Sequence, residues 1–326
     1  MSDPYVFRIA AAGGPEVLEA EHGDVPRPEA GQVLVRHEAV GLNFIDTYHR
    51  SGLYKVPLPS GIGNEAAGVV EAVGEGVSGF RQGNRVGYFT GPLGAYATHR
   101  LIDPDRLVKL PDAVSSEQAA AAMLKGCTAE YLIERCARVE AGQTALVHAA
   151  AGGVGSILVQ WLKAIGASVI AHSGDSRKAA LAKELGADES LCCPMEELAA
   201  EVRSLTGGKG VAVVLDGVGA AGWQASLGSA GRRGLVVSYG NASGPVPPFT
   251  ALDLVTAGSI FVTRPTLADY AATPDEMRAS AARLFELMLN GTVDVRIGQT
   301  FPLLKAAEAH RALEARSTTG STVLIP

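Results

Sequence analysis

A glycine-rich segment in the middle of the chain has the residue types and spacing of a phosphate-binding turn. It follows the apolar run Thr144–Val147, and the apolar residues after it recur at helical spacing, so it joins a strand to a helix. Ala150, Gly152 and Gly155 fill the three positions of the pattern G-x-G-x-x-G. Such a string can also be a plain turn, but its setting between strand and helix favours a dinucleotide site. The residues expected to form that site are Ala151, Gly152, Gly153, Val154 and Gly155.

The end of the next strand indicates which dinucleotide binds. An NAD site usually has Asp or Glu there, about 20 residues after the glycines, to bind the ribose hydroxyls. Ser173 and Gly174 stand at that place, and Arg177 and Lys178 follow, with charges that suit the extra phosphate of NADPH. Two alternatives stay open, since a rotated loop could bring Asp175 to the ribose and the two basic residues could be an ordinary exposed helical turn. We expect NADPH.

Two patterns of sequence must position this turn. Short β-type runs broken by glycine and proline extend from Val6 to about Leu110 and are typical of a compact β-barrel-like domain. Strands and helices alternate from about Gln143 to Val262, which predicts an α/β unit with a doubly wound parallel sheet. The β-type pattern returns in the last residues, so we expect the tail to rejoin the first domain. The predicted domains are 1–125 with 265–326, and 126–264 for nucleotide binding.

Composition excludes several classes of protein. The formal net charge of −6 opposes binding to nucleic acid, because such binding depends on Lys and Arg neutralising phosphates. The first residues lack the basic and apolar regions of a signal peptide, and no apolar run is long enough to span a membrane, so we expect a cytoplasmic protein. The cysteines fit reduced thiols better than a disulfide framework or a metal knuckle. They are Cys127, Cys136, Cys192 and Cys193.

Six segments, in chain order, resemble bacterial NADPH:quinone oxidoreductases, the zinc-independent relatives of zeta-crystallin in the medium-chain dehydrogenase/reductase superfamily. The segments are LNFIDTYHRSGLY, GNEAAGVVEAVGEGV, MLKGCTAEYLI, HAAAGGVG, VSYGNASG and VTRPTL. The resemblance implies a GroES-like catalytic domain, a Rossmann domain inserted late in the chain, a cleft between them, and a homodimer. It also implies that hydride passes from the nicotinamide of NADPH to a quinone held in that cleft.

The resemblance assigns further residues to the site. Tyr48, Tyr54 and Arg264 would face the acceptor, since aromatic rings can stack on a flat quinone and a guanidinium or phenol can stabilise an oxyanion. Ordinary packing remains an equal alternative for the tyrosines, and a surface charge at a helix end remains one for Arg316. The expected cofactor contacts outside the glycine turn and the next strand end are Asn43, Asp46, Lys125, Thr128, Tyr239, Gly240, Asn241, Arg264 and Arg316.

The chain differs at two positions from the zinc alcohol dehydrogenases of the same superfamily. Asn43 and Asn64 stand where those enzymes have a ligand Cys and a ligand His. Amides make a poor zinc site, so we expect no metal. Relatives often have a tyrosine near the adenine where this chain has Cys192 and Cys193, which puts adenine contact there in doubt. We expect His148 to be a packed residue and not a ligand or a base.

Two other functions stay open from the sequence. A reductase of activated C=C bonds, such as enones or enals, would use the same domains and the same hydride. A non-catalytic role, as an RNA-binding or crystallin-like protein, occurs among relatives. The acidic balance argues against RNA, and the glycine turn argues against a purely structural protein.

Overall fold

The structure is a computed structural model, and it describes residues 3–326. They form two compact units. The first unit holds the chain up to Cys127, Ala271–Leu289 and Val295–Pro326, and the second unit holds Thr128–Tyr270 and Asn290–Asp294. None of the helices formed by residues 3–326 is long and apolar enough to cross a membrane.

The second unit extends beyond the residues 126–264 that we expected. The ring of Tyr270 stacks on Tyr131 with centroids 4.5 Å apart, and the Tyr270 carbonyl oxygen accepts a hydrogen bond from Arg135 Nη1 at 2.6 Å. These contacts tie the segment after the last strand of the unit to its first residues. The second unit of the structure therefore includes the segment up to Tyr270.

Strands and helices follow one another along the whole chain. The strands are β1 (Tyr5–Ile9), β2 (Glu19–His22), β3 (Val33–Leu42), β4 (Ser60–Gly61), β5 (Glu65–Val73), β6 (Arg85–Tyr88), β7 (His99–Ile102), β8 (Val108–Lys109), β9 (Thr144–His148), β10 (Ser168–His172), β11 (Glu189–Leu191), β12 (Val211–Asp216), β13 (Ala230–Ser238), β14 (Phe261–Thr263), β15 (Ile297–Pro302) and β16 (Ser321–Ile325). The helices are α1 (Phe44–Ser51), α2 (Ser116–Glu130), α3 (Gly153–Ala164), α4 (Ser176–Glu184), α5 (Met195–Leu205), α6 (Trp223–Ser229), α7 (Ala251–Thr256), α8 (Leu267–Tyr270), α9 (Pro274–Leu289) and α10 (Ala306–Glu314). A π-helical stretch, Tyr131–Cys136, continues α2.

Two sheets build the first unit. One has the order β15, β16, β3, β5, β6, β8 with β7 beside β3, and the other has the order β2, β1, β4. The last strand pairs with β3, Leu324 opposite Val40, so the end of the chain belongs to this unit as the returning β pattern predicts. Alternate residues of β1, from Tyr5 to Ile9, are buried in the core with Val40 and Leu324.

Helix α1 begins with a reciprocal cap that places several predicted site residues. Asn43 is the N-cap residue in an extended conformation, and its backbone N–H donates to Asp46 Oδ2 at 2.9 Å. The helix ends at Ser51, and Gly52 follows as its C-cap residue with a φ of 80°, a left-handed conformation that glycine adopts without strain. Tyr48 therefore lies on a helix whose start is fixed by Asn43 and Asp46.

The second unit is a doubly wound parallel sheet in the order β11, β10, β9, β12, β13, β14. The chain runs outward from β9 to β11, returns to β12 beside β9, and runs outward again to β14. The direction of winding reverses between β9 and β12, and ligands of such sheets bind outside the carboxyl ends of the strands at this reversal. The predicted α/β fold class is confirmed.

Candidate active site

The N-terminus of α3 forms a cradle for an anion. Strand β9 ends at His148, Gly152 is the N-cap residue, and α3 begins at Gly153. The first-turn N–H groups, those of Gly153, Val154 and Gly155, have no acceptor within the helix, and the helix dipole adds positive potential. This geometry suits a phosphate group.

The two glycines of this turn serve different purposes. A Cβ on Gly155 would lie 2.3 Å from the carbonyl oxygen of Ala149 and 2.8 Å from Cα of Ala150, so Gly155 is needed where helix and strand pack together. A Cβ on Gly152 would meet only the Ala149 carbonyl oxygen, at 3.1 Å. With φ at −82°, Gly152 is not strained either. Its lack of a side chain instead leaves space in front of the helix.

The remaining predicted residues of the second unit follow the ends of neighbouring strands. Ser173 and Gly174 follow β10, the segment Tyr239–Asn241 follows β13, and Arg264 follows β14. Because the strands are parallel, all of them lie at the same carboxyl edge as the start of α3.

Three buried polar atoms at this edge lack a hydrogen-bond partner among residues 3–326. They are Nδ1 of His148 and the hydroxyl oxygens of Ser173 and Ser238, each at or next to the end of a strand. Buried polar groups are normally hydrogen-bonded, and an unpaired one costs about 1–3 kcal/mol. A polar ligand along this edge would remove that cost. The residues present therefore fit a dinucleotide.

Asp175 caps α4 with its carboxylate. Its side chain accepts a hydrogen bond from the backbone N–H of Lys178 at 2.8 Å, and its other carboxylate oxygen lies 3.8 Å from Lys178 Nζ. Arg177 is exposed beside it, and Gly174 has open space around it. The basic side chains at this loop are those of Arg177 and Lys178, and its one carboxylate, that of Asp175, is the N-cap of α4.

The sequence did not predict a buried polar network formed by His148, Ser226 and Asp216. The Ser226 hydroxyl donates to Asp216 Oδ2 at 2.7 Å and therefore accepts from His148 Nε2 at 3.0 Å. Asp216 Oδ1 accepts from the backbone N–H groups of Val218 and Gly219, which orders the loop after β12. Burial lowers the pKa of His148 to about 4, against the opposing charge of Asp216. His148 is thus a neutral packed residue.

Predicted residues of the first unit also come together. Asp46 Oδ1 accepts from Asn64 Nδ2 at 2.7 Å, and Asn43 Nδ2 donates to Glu65 Oε2 at 2.9 Å. Lys125 Nζ lies 3.4 Å from the same Glu65 oxygen. The rings of Tyr48 and Tyr54 meet edge to face with centroids 5.2 Å apart. Thr128 is buried in the second unit, and Arg316 is exposed after the end of α10.

Glu65 belongs to this cluster, although no sequence motif pointed to it. It is fully buried, and its Oε1 accepts from the backbone N–H of Leu124 at 2.6 Å. Burial raises the pKa of Glu65, and the neighbouring Lys125 ammonium and its hydrogen bonds oppose the rise. An acid in a strand of small apolar residues, EAAGVV, is the signal that could have found it.

The donor set of this cluster does not fit zinc. The amides of Asn43 and Asn64 present their N–H groups to carboxylates, and the ammonium of Lys125 would repel a dication. Within the part of the chain that the structure describes, no group of three or more His, Cys, Asp or Glu side chains is arranged to hold a metal ion.

Known proteins match the chain over nearly its full length. Residues 29–112 match the alcohol dehydrogenase GroES-like domain, and residues 153–286 match the zinc-binding dehydrogenase family. The quinone oxidoreductase of Pseudomonas aeruginosa is 50% identical over 321 residues, which cover 98% of this chain and 99% of that protein.

Two further relatives extend the comparison. The crystal structure of Escherichia coli quinone oxidoreductase complexed with NADPH superimposes with a TM-score of 0.96 at 44% identity, and it covers 99% of this chain and 100% of that one. The 2-haloacrylate reductase of Burkholderia sp is 41% identical over 326 residues, which cover 98% of each protein.

We predict that the purified chain holds far less than one zinc per chain and that its Tm is unchanged by exhaustive dialysis against EDTA. The reason is that amide N–H groups and an ammonium occupy the region where a zinc ligand set would lie. Metal analysis and thermal unfolding before and after dialysis measure both quantities. Stoichiometric zinc, whose removal lowers Tm and whose return restores it, would contradict the prediction.

Proposed function

This chain belongs to the quinone oxidoreductase family of the medium-chain dehydrogenase/reductase superfamily, and we propose that it transfers hydride from NADPH to quinones. One observation carries the proposal. The N-terminus of α3 at Gly152 has free space in front of it, and it lies at the sheet edge where the buried hydroxyls of Ser173 and Ser238 have no hydrogen-bond partner among residues 3–326. Its support from relatives is the E. coli enzyme, whose structure was solved with NADPH.

The carboxyl edge of the second unit's sheet would hold the cofactor. First-turn N–H groups of α3 would bind the pyrophosphate, Ser173 and Gly174 would meet the adenosine ribose, and Arg177 and Lys178 would bind its extra phosphate. The other residues proposed to contact the cofactor are Asn43, Asp46, Lys125, Thr128, Tyr239, Gly240, Asn241, Arg264 and Arg316.

The cofactor, when bound, supplies the hydride, and the residues of this chain orient the acceptor and stabilise its charge. Tyr48 and Tyr54 present an aromatic pair on which a flat quinone can stack. Arg264 or a tyrosine hydroxyl would stabilise the oxyanion that forms as hydride arrives. Positioning and oxyanion stabilisation suffice for an acceptor as reactive as a quinone.

The proposal is tested by NADPH oxidation with 1,4-benzoquinone, in the wild type and in Gly152→Val. The wild type should turn over, and the variant should bind NADPH at least about a hundredfold more weakly, because its methyl groups displace phosphate oxygens from two or more charge-assisted hydrogen bonds. Fluorescence titration and cofactor-free thermal unfolding give affinity and fold.

Gly23→Val is the matched control, since a Cβ on Gly23 would have no neighbour within 4 Å. This control should leave NADPH affinity unchanged. An unaltered affinity in Gly152→Val would place the cofactor elsewhere.

A second candidate function is reduction of activated C=C bonds, which the 41% identity to a 2-haloacrylate reductase favours. The same assay with a short enone in place of the quinone separates the two. A higher kcat/KM for the enone would replace the proposed function with this one.

We predict that Arg177→Ala with Lys178→Ala weakens NADPH binding about ten- to a hundredfold and leaves NADH binding unchanged. A charge-assisted contact to the 2′-phosphate is worth about 1.5–3 kcal/mol, and NADH lacks that phosphate. Lys183→Ala is the control, because Lys183 lies at the other end of α4 and donates to the Asp188 carbonyl oxygen. Equal losses for the two cofactors would refute this role.

The chain is further proposed to form a homodimer in the cytoplasm. Strand β14 is the edge of the second unit's sheet, and Phe261 on it is 62% exposed. Leu252 and Val255 on the nearby helix α7 are 74% and 63% exposed. An exposed apolar edge strand is a template for pairing with another copy.

Phe261→Asp should therefore convert the dimer to a monomer, because it places a charge in the paired edge. Sedimentation velocity at micromolar concentration measures the change. Leu205→Asp, an exposed apolar position at the end of α5, should leave the dimer intact. A dimer that survives Phe261→Asp, or a wild-type monomer, would rule out this interface.

A further inference from the structure

A row of buried polar side chains in the first unit ends at Asp46, which is one of the residues proposed to contact the cofactor, and the other members of the row have no part in the function proposed above. This row, the Arg50 row, runs from Arg50 on α1, through His310 on α10 and Tyr96, to Asp46 on α1. All four residues are buried. Buried polar groups of this kind are costly unless each one is satisfied, so their arrangement calls for a reason.

Every proton position in the Arg50 row follows from Arg50 itself. A guanidinium only donates, so Nδ1 of His310, 3.0 Å from Arg50 Nη1, must accept. His310 therefore donates from Nε2 to the Tyr96 oxygen at 2.9 Å, and Tyr96 donates to Asp46 Oδ2 at 3.2 Å. Burial and the charge of Arg50 lower the pKa of His310 to about 3, so the ring is neutral as this pattern requires.

Arg50 is held in place by further contacts. Its Nη1 and Nη2 donate to the two carboxylate oxygens of Glu314 at 3.0 and 2.6 Å, and its Nε donates to the carbonyl oxygen of Gly13 at 3.1 Å. This fork-to-fork pair fixes the guanidinium plane. Arg50 is thus held in one orientation, and this fixes the direction of every hydrogen bond from Arg50 to Asp46.

Asp46 receives donors from its other side as well. Asn43 donates its backbone N–H to Oδ2 at 2.9 Å, and Asn64 donates its amide to Oδ1 at 2.7 Å. Asn64 Nδ2 also lies 3.5 Å from Nδ1 of His49, whose ring adjoins that of Tyr54 at 6.0 Å. The amide N–H groups of Asn64 are thereby directed at Asp46 and His49, which leaves its carbonyl oxygen to bind a further group.

We propose that Tyr96 and His310 are positioning residues that keep Asp46 an ionised acceptor, and that Asp46 thereby turns the Asn64 carbonyl oxygen toward a hydrogen-bond donor of the reacting pair. The inference rests on the proposed function. The donor is either the carboxamide N–H of the nicotinamide or the hydroxyl of the reduced acceptor. The reaction adds hydride from NADPH and a proton from water to the quinone, and Asn64 neither gains nor loses a proton.

The charged and titratable groups around Asp46 come from four elements. Burial has the largest effect on the Asp46 carboxyl and raises its pKa to about 6, whereas the charge of Lys125 on α2 acts to lower that pKa. The hydrogen bonds from Asn64, Asn43 and Tyr96 also oppose the rise. The groups around its donors Tyr96 and Asn64 are Glu65 on β5, Arg50 and His49 on α1, and His310 on α10.

The sign of the pH effect follows from the protonation of Asp46. Asn64 is oriented only while Asp46 is ionised, so activity should fall as pH drops through the folded pKa of Asp46. Removing the Tyr96 hydroxyl removes a donor to the carboxylate and raises that pKa. The acid limb of the pH profile should then move upward by about one pH unit.

The test compares Tyr96→Phe with Tyr88→Phe, a buried tyrosine of the same unit whose hydroxyl donates to His37 outside the Arg50 row. Tyr96→Phe should move the acid limb of kcat/KM up by about one unit and lower activity about fivefold at pH 6, with near wild-type activity at pH 8. Tyr88→Phe should leave the limb in place even if Tm falls. Loss of Tm in Tyr96→Phe without a shifted limb would overturn the proposal.

Two variants of His310, which is one hydrogen bond further from Asp46 than Tyr96 is, test the Arg50 row again. Gln can accept from Arg50 and donate to Tyr96, so His310→Gln should keep the wild-type profile. His310→Leu should shift the limb as Tyr96→Phe does. If His310→Gln shifts the limb as far as His310→Leu, the direction of hydrogen bonding is not what matters and the proposal fails.

Asn64→Leu identifies the donor that Asn64 binds. A raised Kd for NADPH points to the carboxamide, and a raised KM for the quinone with unchanged NADPH affinity points to the acceptor hydroxyl. No change in either would overturn the role of Asn64.

The pKa of the Asp46 carboxyl can also be read directly by 13C NMR in the wild type and in Tyr96→Phe. This measurement separates a failure of the Arg50 row from a failure of the quinone reductase assignment. If the Asp46 pKa is the same in both proteins, the inference is wrong, even if the wild type reduces quinone.

Discussion

Two carboxylates that folding removes from water impose the strictest demand on the first unit. Asp46 and Glu65 are both fully buried, and a buried charge without compensation costs several kcal/mol. Asn43 meets part of the demand for each, because its backbone N–H donates to Asp46 and its side-chain amide donates to Glu65. The residue that starts α1 therefore also connects the helix to strand β5. A change at Asn43 would disturb the cap and both charges together.

The second unit meets a different constraint, which is geometric. Strand β9 must turn into α3 in four residues, from Ala149 to Gly152, and still leave room for a ligand in front of the helix. Gly155 allows the helix to approach the strand, and the turn is closed by the Gly152 N–H donating to the Ala149 carbonyl oxygen at 2.9 Å. The strained conformation falls on Ala149, with φ at 50°, and not on a glycine. The close packing of α3 on β9 thus determines where the helix begins. The free space at the N-terminus of α3 is a consequence of that position.

The features that local sequence encodes were predictable, and those made by distant pairs were not. Alternating strands and helices around a glycine turn are patterns within a few dozen residues, so the parallel sheet and the glycine turn at its carboxyl edge followed from them. Tyr96 and His310 are 214 positions apart and Arg50 and His310 are 260 apart, and nothing near any of them marks the partner. Glu65 itself is marked by its strand of small apolar residues, but nothing near it marks its partner Lys125.

The replacement of metal ligands by amides changes what the surrounding carboxylates require. Carboxylates beside a metal centre are compensated by a dication, but here Asn43 and Asn64 bring no charge. The ammonium of Lys125, 3.4 Å from Glu65, supplies one positive charge. The remaining stabilisation of the two carboxylates comes from neutral hydrogen-bond donors. Burial raises the pKa of the Asp46 carboxyl to about 6, and the hydrogen bonds from Asn64, Asn43 and Tyr96 oppose that rise more than the charge of Lys125 does. A dication at the same place would depress the pKa. The protonation of Asp46 in such a cluster depends on every donor to its carboxylate, and the Tyr96 hydroxyl is one of three such donors.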